Sequence, residues 1–159
     1  MFRTRTGANL SLCTALEIRD QKLASPAGLV QISPWIYLQA DRFADDTTSR
    51  DYFKRETLMH FAEAYIKGDQ KLSSKASPLL VDFKNLVPLF VSYGGKEILR
   101  NQAIELIKRA RDAGVDVTEV VDPRLYHDYL CTGTMIGEAS WRDIRKLADW
   151  MNKQYQAAA

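Results

Sequence analysis

Three short apolar runs separated by amphipathic stretches constrain this chain more than anything else in it. Residues 28–33 (Leu29, Val30, Ile32), 87–93 and 115–121 are each too short for a stable helix. They end at Pro34, at Gly94-Gly95 and at Asp122-Pro123 respectively. Short apolar runs closed by turn residues predict buried strands. The stretches around them repeat at helical spacing. Leu12, Ala15 and Leu16 predict a helix over residues 7–22. Leu58, Phe61, Ala62, Tyr65 and Ile66 predict one over 52–67, with Asp51 as its cap and Gly68 at its end. Leu99, Ala103, Leu106, Ile107 and Ala110 predict one over 97–113 before Gly114, and Ser140 caps a last helix carrying Trp141, Ile144, Leu147, Ala148 and Met151. Strands joined by helices must run parallel, with the helices packed on the sheet. The predicted fold class is α/β, three parallel strands with helices on both faces.

At 159 residues the chain suits one domain. Its 22 basic and 20 acidic side chains are interspersed, which argues against nucleic acid as a partner, since that calls for a clustered basic face. No apolar run is long enough for a membrane span, and no signal-peptide core follows Arg3 and Arg5. The expected location is cytoplasmic. Cys13 and Cys131 lie far apart, and with only His60 and His127 beside them they make no closely spaced ligand pairs. No metal site is expected, and both thiols are expected to be free and at least half-buried.

Several segments carry a further signal. They are Ala27-Gly28-Leu29-Val30-Gln31-Ile32-Ser33-Pro34-Trp35, Ala76-Ser77-Pro78-Leu79-Leu80, Gly94-Gly95-Lys96-Glu97-Ile98-Leu99-Arg100, the run from Arg109 through Ala113-Gly114-Val115 to Val117, and Tyr126-His127-Asp128. In this order they resemble the fold-3 family of α/β-hydrolases, the hormone-sensitive-lipase-like carboxylesterases, from about Gly7 to the C-terminus. The resemblance implies the C-terminal half of an α/β-hydrolase, a single partial domain over 1–159 in which residues 1–6 are unrelated or frayed. It implies hydrolysis of carboxylic esters of small or medium acyl chains, a small-molecule ester as partner, and no metal or organic cofactor.

The same resemblance assigns roles. Such enzymes need a serine on a tight strand-to-helix turn. The family's Gly-Asp-Ser-Ala-Gly-Gly/Ala-Asn-Leu falls on Arg3-Thr4-Arg5-Thr6-Gly7-Ala8-Asn9-Leu10, so Arg5 stands where the serine would be. A guanidinium is permanently protonated and is no nucleophile. His127 falls where the catalytic base belongs and Glu97 where its acid belongs. By residue type alone, a lone histidine is more often structural, and a glutamate opening a helix is more often a dipole partner. The family's His-Gly-Gly-Gly oxyanion loop has no counterpart in the sequence. The expectation is therefore an esterase-like chain, truncated and inactive for want of the nucleophile serine and the oxyanion loop. The alternative is a non-enzymatic ligand-binding or interaction protein of the same fold. Of the remaining candidates, His60 reads as a partly buried helix histidine and Trp35, Trp141 and Trp150 as packing. Asp45-Asp46 reads as solvated loop and Gly94-Gly95 as turn glycines. A sheet beginning at 28–33 would expose that strand's edge, so self-association through 28–33 is also expected.

Overall fold

The computed structural model describes residues 2–39, 41, 43–44, 51–66, 73–132 and 137–158, with residues 2–5 described by their backbone. Asp45-Asp46 and Gly68 lie outside the described residues. The elements are β1 (Phe2–Thr4), α1 (Arg5–Asp20), β2 (Leu29–Ile32), α2 (Arg55–Tyr65), a 3-10 turn (Pro78–Leu80), β3 (Leu89–Gly94), α3 (Arg100–Asp112), β4 (Val117–Asp122) and α4 (Glu138–Ala158). The sheet runs β1-β2-β3-β4, every pair parallel. The three predicted parallel strands are present.

Two expectations fail together at the N-terminus. Residues 2–4 are not frayed: they form a fourth strand, with Phe2 opposite Val30, Arg3 opposite Gln31 and Thr4 opposite Ile32. Strand β2 therefore has a neighbour on each side, and all four of its residues are buried. The bare edge on which self-association through 28–33 was expected is covered from within, and β1 takes the edge position instead.

Alternation along the strands decides which helix covers which face. Leu29, Leu89, Val91 and Tyr93 pack with Leu12 and Leu16 of α1 and with Ala103, Leu106 and Ala110 of α3. Val30, Ile32, Phe90 and Val120 point the other way, onto Tyr129, Leu147 and Trp150, the last two from α4. Gly28 makes that second layer possible, because a Cβ there would lie 2.6 Å from Cη2 of Trp150. A third cluster joins Trp35, Leu38, Leu58, Ala62, Ile98 and Leu99, so α2 packs over the segments leaving β2 and β3.

Helix starts differ from expectation for polar reasons. Asp51 does not cap α2. Its Oδ2 accepts from Ile98 N at 3.0 Å and its Oδ1 from Tyr52 N at 2.8 Å, and α2 begins after Lys54 with no side-chain cap. Ser140 lies inside α4, and its hydroxyl donates to Tyr129 O at 3.0 Å. Glu97 sits in the turn before α3 rather than in its first turn, so a helix-dipole role for it drops out. His60 is exposed on α2 rather than partly buried. Trp35 and Trp150 are buried while Trp141 is 46% exposed. Neither cysteine is in a disulfide among the described residues, and Cys131 is exposed, not half-buried. No described helix is long and apolar enough to cross a membrane.

Candidate active site

Parallel strands deliver their following loops to one edge of the sheet, the usual place for a site in such folds. The turn after β3 and the loop after β4 meet there. Gly95 N donates to Asp122 O at 2.9 Å and Lys96 N to Leu125 O at 3.0 Å. The approach is closer than any side chain permits: a Cβ on Gly94 would lie 2.5 Å from the Leu125 and Tyr126 carbonyl oxygens, and one on Gly95 2.5 Å from Cα of Pro123. These glycines do more than turn the chain. They let the loop carrying His127 press onto the turn carrying Glu97.

The consequence is a buried pair. His127 Nδ1 lies 3.5 Å from Glu97 Oε2, and neither side chain has surface open to water. At 3.5 Å the contact is longer than an ordinary hydrogen bond, and neither ring nitrogen has a hydrogen-bond partner among the described residues. Burial pushes the Glu97 carboxyl above its ordinary range; His127 and the Ser33 hydroxyl pull part of that rise back, and the nearby Asp51 charge adds to it. A second carboxylate stands at the far side of the ring, with Asp128 Oδ2 at 3.7 Å from Nε2.

Ser33, Asp51 and Gln102, to which the sequence assigned no role at this site, brace the pair or the segments around it. Ser33, at the end of β2, donates its hydroxyl to Glu97 Oε2 at 2.7 Å and accepts from Asp128 N at 2.9 Å. Asp51 fixes the backbone of Ile98, next to Glu97. Gln102 on α3 accepts from Ile36 N and Tyr37 N, each at 2.9 Å, and donates to Tyr37 O at 2.9 Å, holding the segment that leaves β2. The Ser-Pro-Trp motif was a visible signal for Ser33; nothing in the sequence pointed to Gln102.

Next to the pair lies an apolar pocket of about 380 Å³, walled by Thr6, Trp35, Phe53, Leu58, Phe61, Leu99 and His127. Pockets of this size hold small ligands. The His127 ring forms part of the wall without being open to water; Phe53 meets it edge-on at 5.1 Å between centroids and Tyr52 at 6.0 Å. Thr6 belongs to the first turn of α1, and Arg5 is the first residue of that helix, directly after β1. Arg5, where the resemblance expects the serine, therefore stands at a strand-to-helix junction, one residue before the pocket-lining Thr6. Asn9, four residues beyond Arg5, donates to Ala76 O at 2.8 Å and ties that helix to the Ala76-Ser77-Pro78 segment.

A family profile described as the alpha/beta hydrolase fold matches residues 5–131. An acetyl-hydrolase of Streptomyces hygroscopicus is 32% identical over 123 residues, which are 76% of this chain and 41% of that protein. An esterase of Acinetobacter venetianus is 28% identical over 156 residues, 96% of this chain and 46% of that protein. Among solved structures, an esterase from the bacterial hormone-sensitive lipase family superimposes with a TM-score of 0.85 at 30% identity, over 95% of this chain and 51% of that one. A hormone-sensitive lipase from a metagenome library gives 0.87 at 26% identity, over 95% and 52%. The chain spans about half the length of the relatives it matches.

Proposed function

The chain belongs to the α/β-hydrolase fold-3 family, and from that premise we propose that its site is the base–acid part of a carboxylic ester hydrolase, in a chain that does not itself turn over. The observation that carries the reading is the buried His127–Glu97 contact of 3.5 Å beside an apolar pocket. In ester hydrolysis His127 would take the proton of an attacking hydroxyl at one ring nitrogen. Glu97, at the other nitrogen, would hold the tautomer and stabilise the imidazolium. A positioned base of this kind contributes roughly 10²–10⁴-fold. The attacking group is what this sequence lacks: Arg5 occupies the serine's position at the strand-to-helix junction, and no His-Gly-Gly-Gly loop supplies oxyanion donors. The partner we propose is a small ester with an apolar acyl or aryl group that fits the Trp35–Phe53–Leu58 wall. Cys13 and Cys131, which form no disulfide among the described residues, suit a reducing compartment such as the cytoplasm.

The test is hydrolysis of short p-nitrophenyl esters by the purified chain and by His127→Ala. The expected result is no turnover above a free-histidine background in either protein. A turnover of about 1 per second or faster, of the order of working enzymes, that vanishes in His127→Ala would overturn the loss of activity. One observation favours a second reading, a ligand-binding protein on the same fold: the pocket keeps its apolar wall although the nucleophile is replaced. Quenching of Trp35 fluorescence by a non-hydrolysable ketone analogue, weakened in Phe53→Ala, would support that reading.

A further inference from the structure

We propose that Ser33 is the positioning residue of this site, the single hydroxyl that sets the acid and the base against each other; the inference rests on His127 and Glu97 being the base–acid pair. Ser33 stands one residue past β2, and its backbone is fixed by Ser33 N donating to Ser92 O on β3 at 2.7 Å. Its φ is +44°, in the left-handed region that a residue with a Cβ adopts only at a cost. Glycine would take that conformation more easily, so a serine there calls for a use of its side chain.

The hydroxyl has two partners. It donates to Glu97 Oε2, the same oxygen that faces His127 Nδ1. It accepts from the backbone N–H of Asp128, the residue after the histidine, which is also left-handed at φ +56°. Polarity fixes the roles, because a carboxylate can only accept and an amide N–H can only donate. One fully buried atom therefore holds the acid from one side and the base's own backbone from the other, bridging loops 64 and 95 residues away in sequence. With the hydroxyl gone, Glu97 Oε2 keeps, among the described residues, only the long contact to His127, and the His127–Asp128 backbone loses its bond to Ser33.

Two variants separate positioning from folding. Ser33→Gly removes the hydroxyl while relieving the backbone, so it folds if serine's conformation is the cost; Ser33→Ala removes the hydroxyl and keeps the cost. Ser140→Ala is the control: it deletes another fully buried hydroxyl, one that bonds Tyr129 O two residues beyond His127. The readouts on the purified chain are the ¹⁵N and ¹H signals of the His127 ring and the exchange rate of the Asp128 amide. In both Ser33 variants the ring signals should move, and the Asp128 amide should exchange about tenfold faster or more, the scale of one lost buried hydrogen bond. Ser140→Ala should leave both unchanged. Ring signals unmoved in Ser33→Gly, or moved as much in Ser140→Ala, would overturn the positioning role. Glu97→Gln distinguishes the two levels. If it leaves the His127 ring signals unchanged, the base–acid reading fails and this inference with it. If it moves them and Ser33→Gly does not, only the role of Ser33 fails.

Discussion

Gly94→Ala should pull the candidate site apart without touching a functional side chain. The added Cβ would meet the carbonyl oxygens of Leu125 and Tyr126 at 2.5 Å and the carbonyl carbon of Leu125 at 2.8 Å. Ordinary contact begins near 3.4 Å, so the shortfall is about 0.9 Å, and every atom concerned is backbone, which cannot step aside by changing rotamer. The loop of Pro123 to Tyr126 must lift, carrying His127 with it. The His127–Glu97 contact is already 3.5 Å, and a lift approaching 1 Å takes it beyond ion-pair range. Forcing a methyl into a packed contact costs about 1–3 kcal/mol. For a domain of this size each kcal/mol lowers Tm by roughly 2–4 °C, so the expected drop is about 2–12 °C. Circular dichroism melts give the stability and His127 ring signals give the geometry. A melt within about 1 °C of the native chain, with the His127 signals unmoved, would show that the two loops are not held in the close contact described.

Three further outcomes follow from other contacts. Glu97 titrates above its unfolded value near 4.5 because it is buried, so its contribution to stability is fully present below that pH and is lost as pH rises through the folded-state pKa. Glu97→Gln should accordingly gain stability relative to the native chain as pH rises from the unfolded value near 4.5; urea midpoints that stay parallel as pH rises from there would contradict it. Gln102→Leu removes the acceptor shared by the buried Ile36 and Tyr37 N–H groups and one of the two donors to the Tyr37 carbonyl, the other being Trp35 Nε1 at 3.2 Å, and should cost roughly 2–5 kcal/mol in chemical denaturation; a loss under about 1 kcal/mol would mean that Gln102 does not hold this segment. Gly28→Ala places a Cβ 2.6 Å from the Trp150 ring and should cost about 1–3 kcal/mol while shifting tryptophan emission; unchanged emission would show that Trp150 does not pack on that strand.

The core of the fold was legible because its signal is periodic. Leu29 to Ile32, the run ending at Gly94, and the Leu99–Ala103–Leu106–Ala110 stripe carry their packing in their spacing, and the strands and helices fall within a few residues of it. Strand β1 was not legible, because Phe2-Arg3-Thr4 has no apolar run and owes its conformation to pairing with Val30 through Ile32. Asp51 and Ser140 misled for a shared reason: residues that cap helices well are equally good at bonding distant backbone, and here they are spent on Ile98 N and Tyr129 O. Of the candidate site, the nearness of Glu97 and His127 was expected from family motifs. Their approach depends on glycines that look like ordinary turn residues in sequence, and on Ser33, whose two bonds span loops that only the sheet brings together.

On the proposed reading, His127 and Glu97 are the base–acid half of an esterase site and Arg5 stands where the nucleophile would be. A fluorophosphonate probe tests this directly when applied to the native chain, to Arg5→Ser and to Arg5→Ser combined with His127→Ala. The native chain should remain unlabelled, Arg5→Ser should be labelled at position 5, and the added His127→Ala should abolish that labelling. Labelling of the native chain, or labelling of Arg5→Ser that persists without His127, would contradict the account.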